Sequence, residues 1–370
     1  MNDIKMTNVV ECNSAAFDAK FPNKNKVVEV FSALVQGKDT TKYGRGVDQT
    51  VSYVKELGER IGNGDVAAVS ELNALRTYTV KPILTQDIKL LGVFGNFQPL
   101  GANESIEVET YDFIGDKSRK QAFNADVVFP KVKKGKYTVG TNTISGGWVT
   151  DYRKLALGDM TVENEGMEEV RKDIMNKAKA QVFNTVVNAV NNASIKNIYT
   201  SGGTGLTKAG VDSVLAKQRR FGRDLTVVGD YSILAQFTPW AGYNAEYVYG
   251  GSRYGYTQGI AAADLEDLRR NGVLGMYNGA ALVENDNPYN FGDIDSTTNW
   301  FNTLIDEKVA VVTSRGVEAP IQMWTRGDIT SFSGNDVSTG NILTRFDLEF
   351  AADVTKGKEF MIGVIADKVL

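Results

Sequence analysis

The stretch that decides the fold is residues 164–192, NEGMEEVRKDIMNKAKAQVFNTVVNAVNN. Apolar side chains recur in it every three or four residues, which is the spacing of one buried face of an α-helix. The face consists of Met167, Val170, Ile174, Ala178, Val182, Val186 and Val190. Asn164 is the expected cap, and acidic residues precede lysines as the helix dipole favours. A helix of about 29 residues is roughly 43 Å long and can span a domain.

The composition excludes most kinds of catalytic site. The 370 residues contain no histidine, which rules out Ser-His-Asp and Cys-His catalysis and His-ligated zinc. The single cysteine, Cys12, leaves no intrachain disulfide, redox pair or thiolate metal cage. We therefore expect a protein that is not an enzyme and that holds no cofactor and no metal.

Charge and hydropathy limit the partners. The chain has 41 basic and 45 acidic residues and a net charge of −4, so any contact with nucleic acid should be local or weak. No run of 18 apolar residues occurs and the N-terminus is polar, which predicts neither a membrane span nor a signal peptide. We expect synthesis in a reducing cytoplasm. Apolar residues make up 42% of the chain, enough for two cores in a chain of this length.

The region before the long helix changes period twice. Residues 1–46 are polar except for a short apolar run at 27–35, and they are typical of an arm. Residues 47–61 and 66–75 follow the helical period and predict two short helices. From 97 to 152 the pattern alternates as in strands, with turns expected at Gly115–Asp116 and at Lys133–Lys136. This stretch has too few large apolar residues for its own core, so we expect a two-stranded projection that packs on another subunit.

The region after the long helix alternates strands and helices. Thr207 should cap a helix, residues 225–228 form a strand, and a second short helix begins at Asp230. A Tyr- and Gly-rich loop over 243–259, a helix over 261–270 and strands at 275–277, 280–283 and 309–313 complete a predicted α/β unit. Residues 343–369 alternate again and predict a C-terminal hairpin of long strands.

Three local stretches, together with this order of parts, point to a known family. They are WVTDYRKLALGD at 148–159, GMYNGAALVE at 275–284 and NTLIDEKVAVV at 302–312. The chain resembles, over essentially its whole length, the major capsid protein of tailed bacteriophages, the Hong Kong 97-type or Johnson fold.

The resemblance implies an α+β fold in six segments. These are an N-terminal arm (1–46), early helices of a peripheral domain (47–96), an extended β-loop (97–158), the spine helix of the peripheral domain (159–200), an α/β axial domain (201–325) and return strands of the peripheral domain (326–370).

The same resemblance implies a structural function. The protein would self-assemble into hexamers and pentamers of an icosahedral shell around double-stranded DNA, in a virion capsid made in the host bacterial cytoplasm. Its partners would be itself, a portal, a possible decoration protein and DNA held through weak, non-specific contact. The chain begins with only a short arm, which implies a separate scaffolding protein.

One charge feature suggests where subunits meet. Basic side chains cluster in the predicted loop, and we expect them to pair with acidic side chains of a neighbouring subunit. The basic residues are Lys131, Lys133, Lys134 and Lys136, and the acidic ones are Glu165, Glu168 and Glu169. Some relatives of this fold form a covalent Lys–Asn bond from such a loop, but the sequence does not show which side chains would meet.

Other interpretations stay open. An encapsulin-like nanocompartment that holds cargo protein would have the same fold, and a His-free carboxylate hydrolase is the alternative from another class. Gly202, Gly203 and Gly205 precede a capped helix but match no phosphate-binding fingerprint. Asp286, Asp293 and Asp295 form an acidic segment without the calcium-loop pattern, which favours a solvated loop over a calcium site.

Overall fold

The computed structural model describes residues 7–11, 24–114, 131–241, 275–296, 299–315, 319–336, 339 and 341–370. The predicted turn at Gly115–Asp116, the loop over 243–259 and the helix over 261–270 lie outside these residues. The helices are α1 (Lys24–Val35), α2 (Arg45–Gly62), α3 (Val66–Leu90), α4 (Tyr152–Leu157), α5 (Thr161–Asn192), α6 (Lys208–Gln218) and α7 (Tyr231–Leu234). No helix within the described ranges is long and apolar enough to cross a bilayer.

The strands of the described residues form two large sheets and two hairpins. They are β1 (Thr7–Glu11), β2 (Asn96–Leu100), β3 (Ile106–Ile114), β4 (Lys131–Val139), β5 (Asn142–Thr150), β6 (Ile198–Thr200), β7 (Asp224–Gly229), β8 (Met276–Tyr277), β9 (Ala280–Glu284), β10 (Tyr289–Asp295), β11 (Trp300–Thr303), β12 (Val309–Arg315), β13 (Ile321–Arg326), β14 (Thr330–Asn335), β15 (Ile342–Val354) and β16 (Gly363–Ala366). The mixture of helix and sheet confirms the predicted α+β class.

Sheet I is built around β15. Its strand order is β1-β14-β15-β13-β2, and β5 also pairs with β15. The pairing of β15 with β5 is antiparallel and extends from Ile342 opposite Thr150 to Phe350 opposite Asn142. Between Thr344 and Phe350, strand β15 alternates buried residues with half-buried or exposed ones, because one face of the sheet is covered by helices.

Sheet II has the order β6-β16-β12-β7-β9-β8. Its central strand β7 is buried from its second residue to its last, as expected for a strand covered on both faces. Helices α6 and α7 pack on one face of this sheet. The opposite face contributes Val228, Val309 and Val311 to the core that α5 shares.

The long helix α5 confirms the predicted buried face, since every member of that face is buried. The helix begins at Thr161, three residues before the predicted cap Asn164, and has 32 residues. Asp159 accepts a hydrogen bond from the Thr161 backbone N–H at 3.0 Å, so Asn164 lies inside the first turn. Helix α5 contacts β5 and β15 of sheet I and β12 and β16 of sheet II.

A buried ion pair joins α3 to the start of α5. Arg76 and Glu163 are both fully buried and form a salt bridge. The Arg76 Nε atom donates to the Glu163 carboxylate at 2.8 Å, and the hydroxyl of Thr150 in β5 donates to the same carboxylate at 2.7 Å. The guanidinium also binds Thr344 in β15 and lies 5.3 Å from the ring centre of Trp148. Four elements of the chain therefore meet at one satisfied charge pair.

The predicted early helices are longer than expected. Residues 66–75 continue as α3 to Leu90 through Pro82, although proline cannot donate its backbone hydrogen bond within a helix. The apolar run of the predicted arm is helix α1, and its Phe31 and Val35 are buried in the main core. Helix α4 approaches α2 so closely that a Cβ at Gly58 would lie 2.5 Å from the Ala156 nitrogen.

The region over 97–152 is only partly a projection. Strands β3 and β4 form a separate antiparallel hairpin, whereas β2 and β5 belong to sheet I. The expected turn at Lys133–Lys136 is wrong, because these residues lie within β4. The stretch KVKKGK at 131–136 combines lysines with Gly135, a composition that fits an exposed strand as well as it fits a turn.

The predicted C-terminal hairpin is also wrong. Strand β15 lies in sheet I, whereas β16 pairs with β12 and β6 in sheet II. The turn at Gly357, whose φ is +82°, and the short 3₁₀ helix Glu359–Met361 separate the two strands. Alternation alone predicts a strand but not its partner, and the end of the chain therefore returns to the second sheet.

Candidate functional site

The hairpin β3–β4 has a packed base and a charged upper part. Ile106 and Val108 are buried against Trp324 and Ala351 of sheet I. The Tyr137 hydroxyl donates to Asp353 at 2.8 Å, and burial raises the pKa of this hydroxyl. The base of the hairpin is therefore held by the same chain, and the remainder extends beyond this contact.

Two of the predicted contact lysines already have partners in their own hairpin. Lys134 pairs with Glu109 at 2.8 Å, and Lys136 pairs with Glu107. These lysines stay about half exposed in the pairs, so each pair contributes little to folding. Lys133 is exposed on the same strand. Position 131 begins the strand opposite Ile114. The structure therefore aligns the cluster along one strand.

The predicted acidic partners lie in the first turns of α5. Glu168 pairs with Arg171 at 2.9 Å and with Lys172 at 3.5 Å on the same helix. Glu165 and Glu169 are exposed. Negative charge at this end of a helix is favoured by the backbone dipole. The sequence did not identify Glu163 on the same helix, which is buried against Arg76. Nothing in the local pattern distinguishes it from the exposed glutamates that follow it.

The Gly-rich loop before α6 already holds an anion from its own chain. Asp367 accepts hydrogen bonds from the Ser201 hydroxyl and from the Gly205 backbone N–H, the latter at 3.0 Å, and from Gln236 at 3.1 Å. These bonds, led by that of Ser201, lower the pKa of Asp367. Thr207 caps α6 as predicted, since its hydroxyl oxygen accepts from the Gly210 N–H at 3.3 Å. The loop is therefore a structural clasp for the end of the chain.

We expect Asp367→Asn to lower the free energy of unfolding at neutral pH by about 1 kcal/mol, the value of a partly exposed charged hydrogen bond. Because the folded-state pKa is lowered, the charge of Asp367 stabilises the fold above its unfolded pKa of about 3.9. This contribution is lost as the pH falls through the lowered folded pKa. Urea unfolding between neutral and acid pH measures the difference.

The exposed change Glu307→Gln is the control for the loss of one negative charge and should show almost no difference. A difference between wild type and Asp367→Asn that persists undiminished at acid pH would contradict this account of the clasp.

The acidic segment near residue 290 is only partly the solvated loop that the sequence predicts, since Asp286 lies in an exposed loop before β10. Strands β10 and β11 form a two-stranded hairpin here, with Asp293 and Asp295 in β10. Among the described residues no group of three or more His, Cys, Asp and Glu side chains is placed to hold a metal ion. Aromatic residues at alternate positions, Tyr289 and Phe291, were the signal that could have identified the first strand.

Comparison with known proteins gives a family match over almost the whole chain. The family described as "SPbeta prophage-derived putative capsid protein YonB" matches residues 5–366. None of the curated proteins matches the chain.

Similar solved structures include the mature capsid of bacteriophage PhiM1, at 9% identity and a TM-score of 0.44, covering 75% of this chain and 86% of that one. Microbacterium phage Oxtober96 gives 12% identity and a TM-score of 0.47, covering 74% and 91%. A virus-like particle from Pyrococcus furiosus gives 9% identity and a TM-score of 0.42, covering 77% and 97%.

Proposed function

The chain belongs to the YonB family, and on that premise we propose that it is the major capsid protein of a tailed phage or prophage. The observation that carries this conclusion is the extent of the family match, residues 5–366, which includes both sheets, the long helix and the hairpin β3–β4. The fold is then of the Hong Kong 97 type, and the function is structural, not enzymatic.

The activity of such a protein is self-association. Copies of the chain form hexamers and pentamers, which close into an icosahedral shell around double-stranded DNA within the virion. Its further partners are a separate scaffolding protein, a portal and a possible decoration protein. The DNA is held weakly and without sequence preference, in keeping with a net charge of −4. The chain is made in the cytoplasm of the host bacterium.

The helices and strands can be assigned to the domains of this fold. Sheet I with α1, α2, α3 and α5 forms the peripheral domain, and sheet II with α6 and α7 forms the axial domain. The extended loop corresponds to the hairpin β3–β4, a smaller part of the chain than residues 97–158. The return strands of the peripheral domain end with β15, because β16 pairs in sheet II.

Electron microscopy of the purified protein in negative stain tests the proposal. Closed icosahedral shells or capsomer rings support it. Small uniform shells filled with another protein would instead favour the encapsulin-like alternative. A protein that stays monomeric at all concentrations would overturn the proposed function.

The basic cluster of β4 supplies a second test. We propose that Lys131, Lys133, Lys134 and Lys136 face Glu165, Glu168 and Glu169 of a neighbouring subunit. Replacing the four lysines by glutamate should prevent assembly at low salt, because like charges would then meet at every copy of the contact. Salt at about 1 M shortens the Debye length to roughly 3 Å and should restore assembly. Sedimentation at low and high salt measures both effects.

The control makes the same charge change at scattered exposed positions. It replaces Lys38, Lys55, Lys154 and Lys196 by glutamate. Circular dichroism should show both quadruple variants folded, since exposed substitutions cost little. Normal particles from the β4 variant at low salt would show that this cluster is only a solvated face.

A further inference from the structure

The hairpin β10–β11 exposes aromatic side chains to solvent. The exposed fractions of Phe291 and Trp300 are 75% and 58%. Phe291 and Phe301 pack edge to face with ring centres 5.2 Å apart, and Tyr289 and Trp300 do so at 6.2 Å. The rings thus pack on one another, and within the described part of the chain Phe291 and Trp300 keep more than half of their surface exposed. Clustered exposed aromatic residues are typical of an interaction surface.

The hairpin and the segment that leads into it from β9 carry acidic side chains, two of them, Asp293 and Asp295, in β10. Residues 284–303 contain four acidic residues, Glu284, Asp286, Asp293 and Asp295, and no basic one. Glu284, Asp286 and Asp293 are exposed. A partner for this surface should therefore combine a place for aromatic rings with positive charge.

A surface of that chemistry lies at the end of α6. Residues 217–223, KQRRFGR, contain four basic residues and no acidic one. The side chains of Lys217, Arg219, Arg220 and Arg223 are exposed. Phe221 fixes the segment by packing on Phe360 with ring centres 5.5 Å apart.

This basic end also offers space for an aromatic ring. A shallow groove beside it is lined by Asp212, Leu215, Ala216, Arg219 and Asn278. The charge of Asp212 is paired with Lys208 of the same helix at 2.8 Å. An arginine at the border of such a groove can stack on an aromatic face, and tryptophan is the strongest partner in cation–π contacts.

The two surfaces lie at opposite ends of sheet II. Strands β7 and β9 are parallel, with Leu225 opposite Ala280 and Gly229 opposite Glu284. The acidic hairpin follows Glu284 at the carboxyl end of β9, and the basic segment precedes Asp224 at the amino end of β7. Strands of this length separate the ends by about 20 Å.

We propose that the acidic aromatic hairpin of one copy docks on the basic end of α6 of the next copy, with Trp300 or Phe291 in the groove beside Arg219. Different surfaces at opposite ends of one sheet make a head-to-tail contact, which closes into a ring when the rotation between copies allows it. This inference rests on the proposed function, since it names the contact through which subunits of a capsomer would join.

Charge exchange across the contact tests the proposal. One variant carries Asp286→Lys and Asp293→Lys, a second carries Arg219→Glu and Arg220→Glu, and a third carries all four changes. Each of the first two should raise the protein concentration for half-assembly at least tenfold, which is about 1.4 kcal/mol. The third restores opposite charges, so it should return to within about threefold of wild type, as in a double-mutant cycle. Trp300→Ala should weaken assembly without changing its salt dependence.

Light scattering against concentration gives these values, with thermal unfolding as the folding control. Assembly of the Arg219→Glu, Arg220→Glu variant at the wild-type concentration would overturn the contact and would point to hairpins that pair with each other. Simple addition of the two losses in the fourfold variant would overturn it as well. In both cases wild-type shells would leave the proposed function standing, whereas a wild-type protein that never assembles would overturn both proposals.

Discussion

Replacing Arg76 by methionine is expected to lower the free energy of unfolding by about 3–5 kcal/mol, because it leaves the Glu163 carboxylate buried without its cation. Both side chains are fully buried, so the carboxylate is also far from bulk solvent. The hydroxyl of Thr344 would lose its bond to the guanidinium at the same time. Urea unfolding followed by circular dichroism measures the change.

Two further variants show whether the loss comes from the unpaired charge. Arg76→Met combined with Glu163→Leu should cost less than Arg76→Met alone, because no charge is then left buried. Lys177→Ala breaks the exposed pair with Asp173, whose atoms lie 2.7 Å apart, and should cost at most about 0.5 kcal/mol. A loss below about 1 kcal/mol for Arg76→Met would contradict the importance of this pair.

Shortening the hairpin β3–β4 is expected to abolish shell formation while the monomer stays folded. Glu109 and Lys136 face each other across the ladder, so an Asn-Gly turn can join them in place of residues 110–135. Ile106 and Val108 keep their contacts with Trp324, and the core is left intact. Microscopy and sedimentation report the assembly, and thermal unfolding reports the fold.

The extent of this deletion is limited by the sheet. Removing residues up to 150 would take β5 away from β15 and would damage the core, so a failure of that longer deletion would say nothing about assembly. Tyr137→Phe is a matched control, since it removes the bond to Asp353 without shortening the hairpin. Shells of normal size from the shortened chain would end the assignment of this hairpin as an assembly element.

The parts of the fold that the sequence predicted are those with a local cause. The buried face of α5 follows from a 3.6-residue period. The cap Thr207 and the helix start at Asp230 follow from side chains that bind nearby backbone N–H groups. Strand β7 follows from its apolar run. None of these depends on a distant residue, and each is confirmed.

The parts that the sequence did not predict depend on distant partners. Nothing near Glu163 indicates that it will meet Arg76, 87 positions away. Alternation in β15 and β16 is the same whether the two strands pair with each other or join different sheets. The acidic residues of β10 suggested a solvated loop because they lack the calcium-loop pattern, and that test does not distinguish a loop from an exposed strand. The contact residues Lys131 to Lys136 and Glu165 to Glu169 stay predictions.

Helix α5 connects the two sheets rigidly, because its buried side chains share a core with both of them. Bending one sheet toward the other would have to open that core, at a cost that rises with the apolar area exposed to water. In a closed shell, five-fold and six-fold positions differ in local curvature. On the proposed function, the hairpins β3–β4 and β10–β11 and the contacts between copies adjust to this difference in curvature. Helix α5 and the two sheets keep their arrangement.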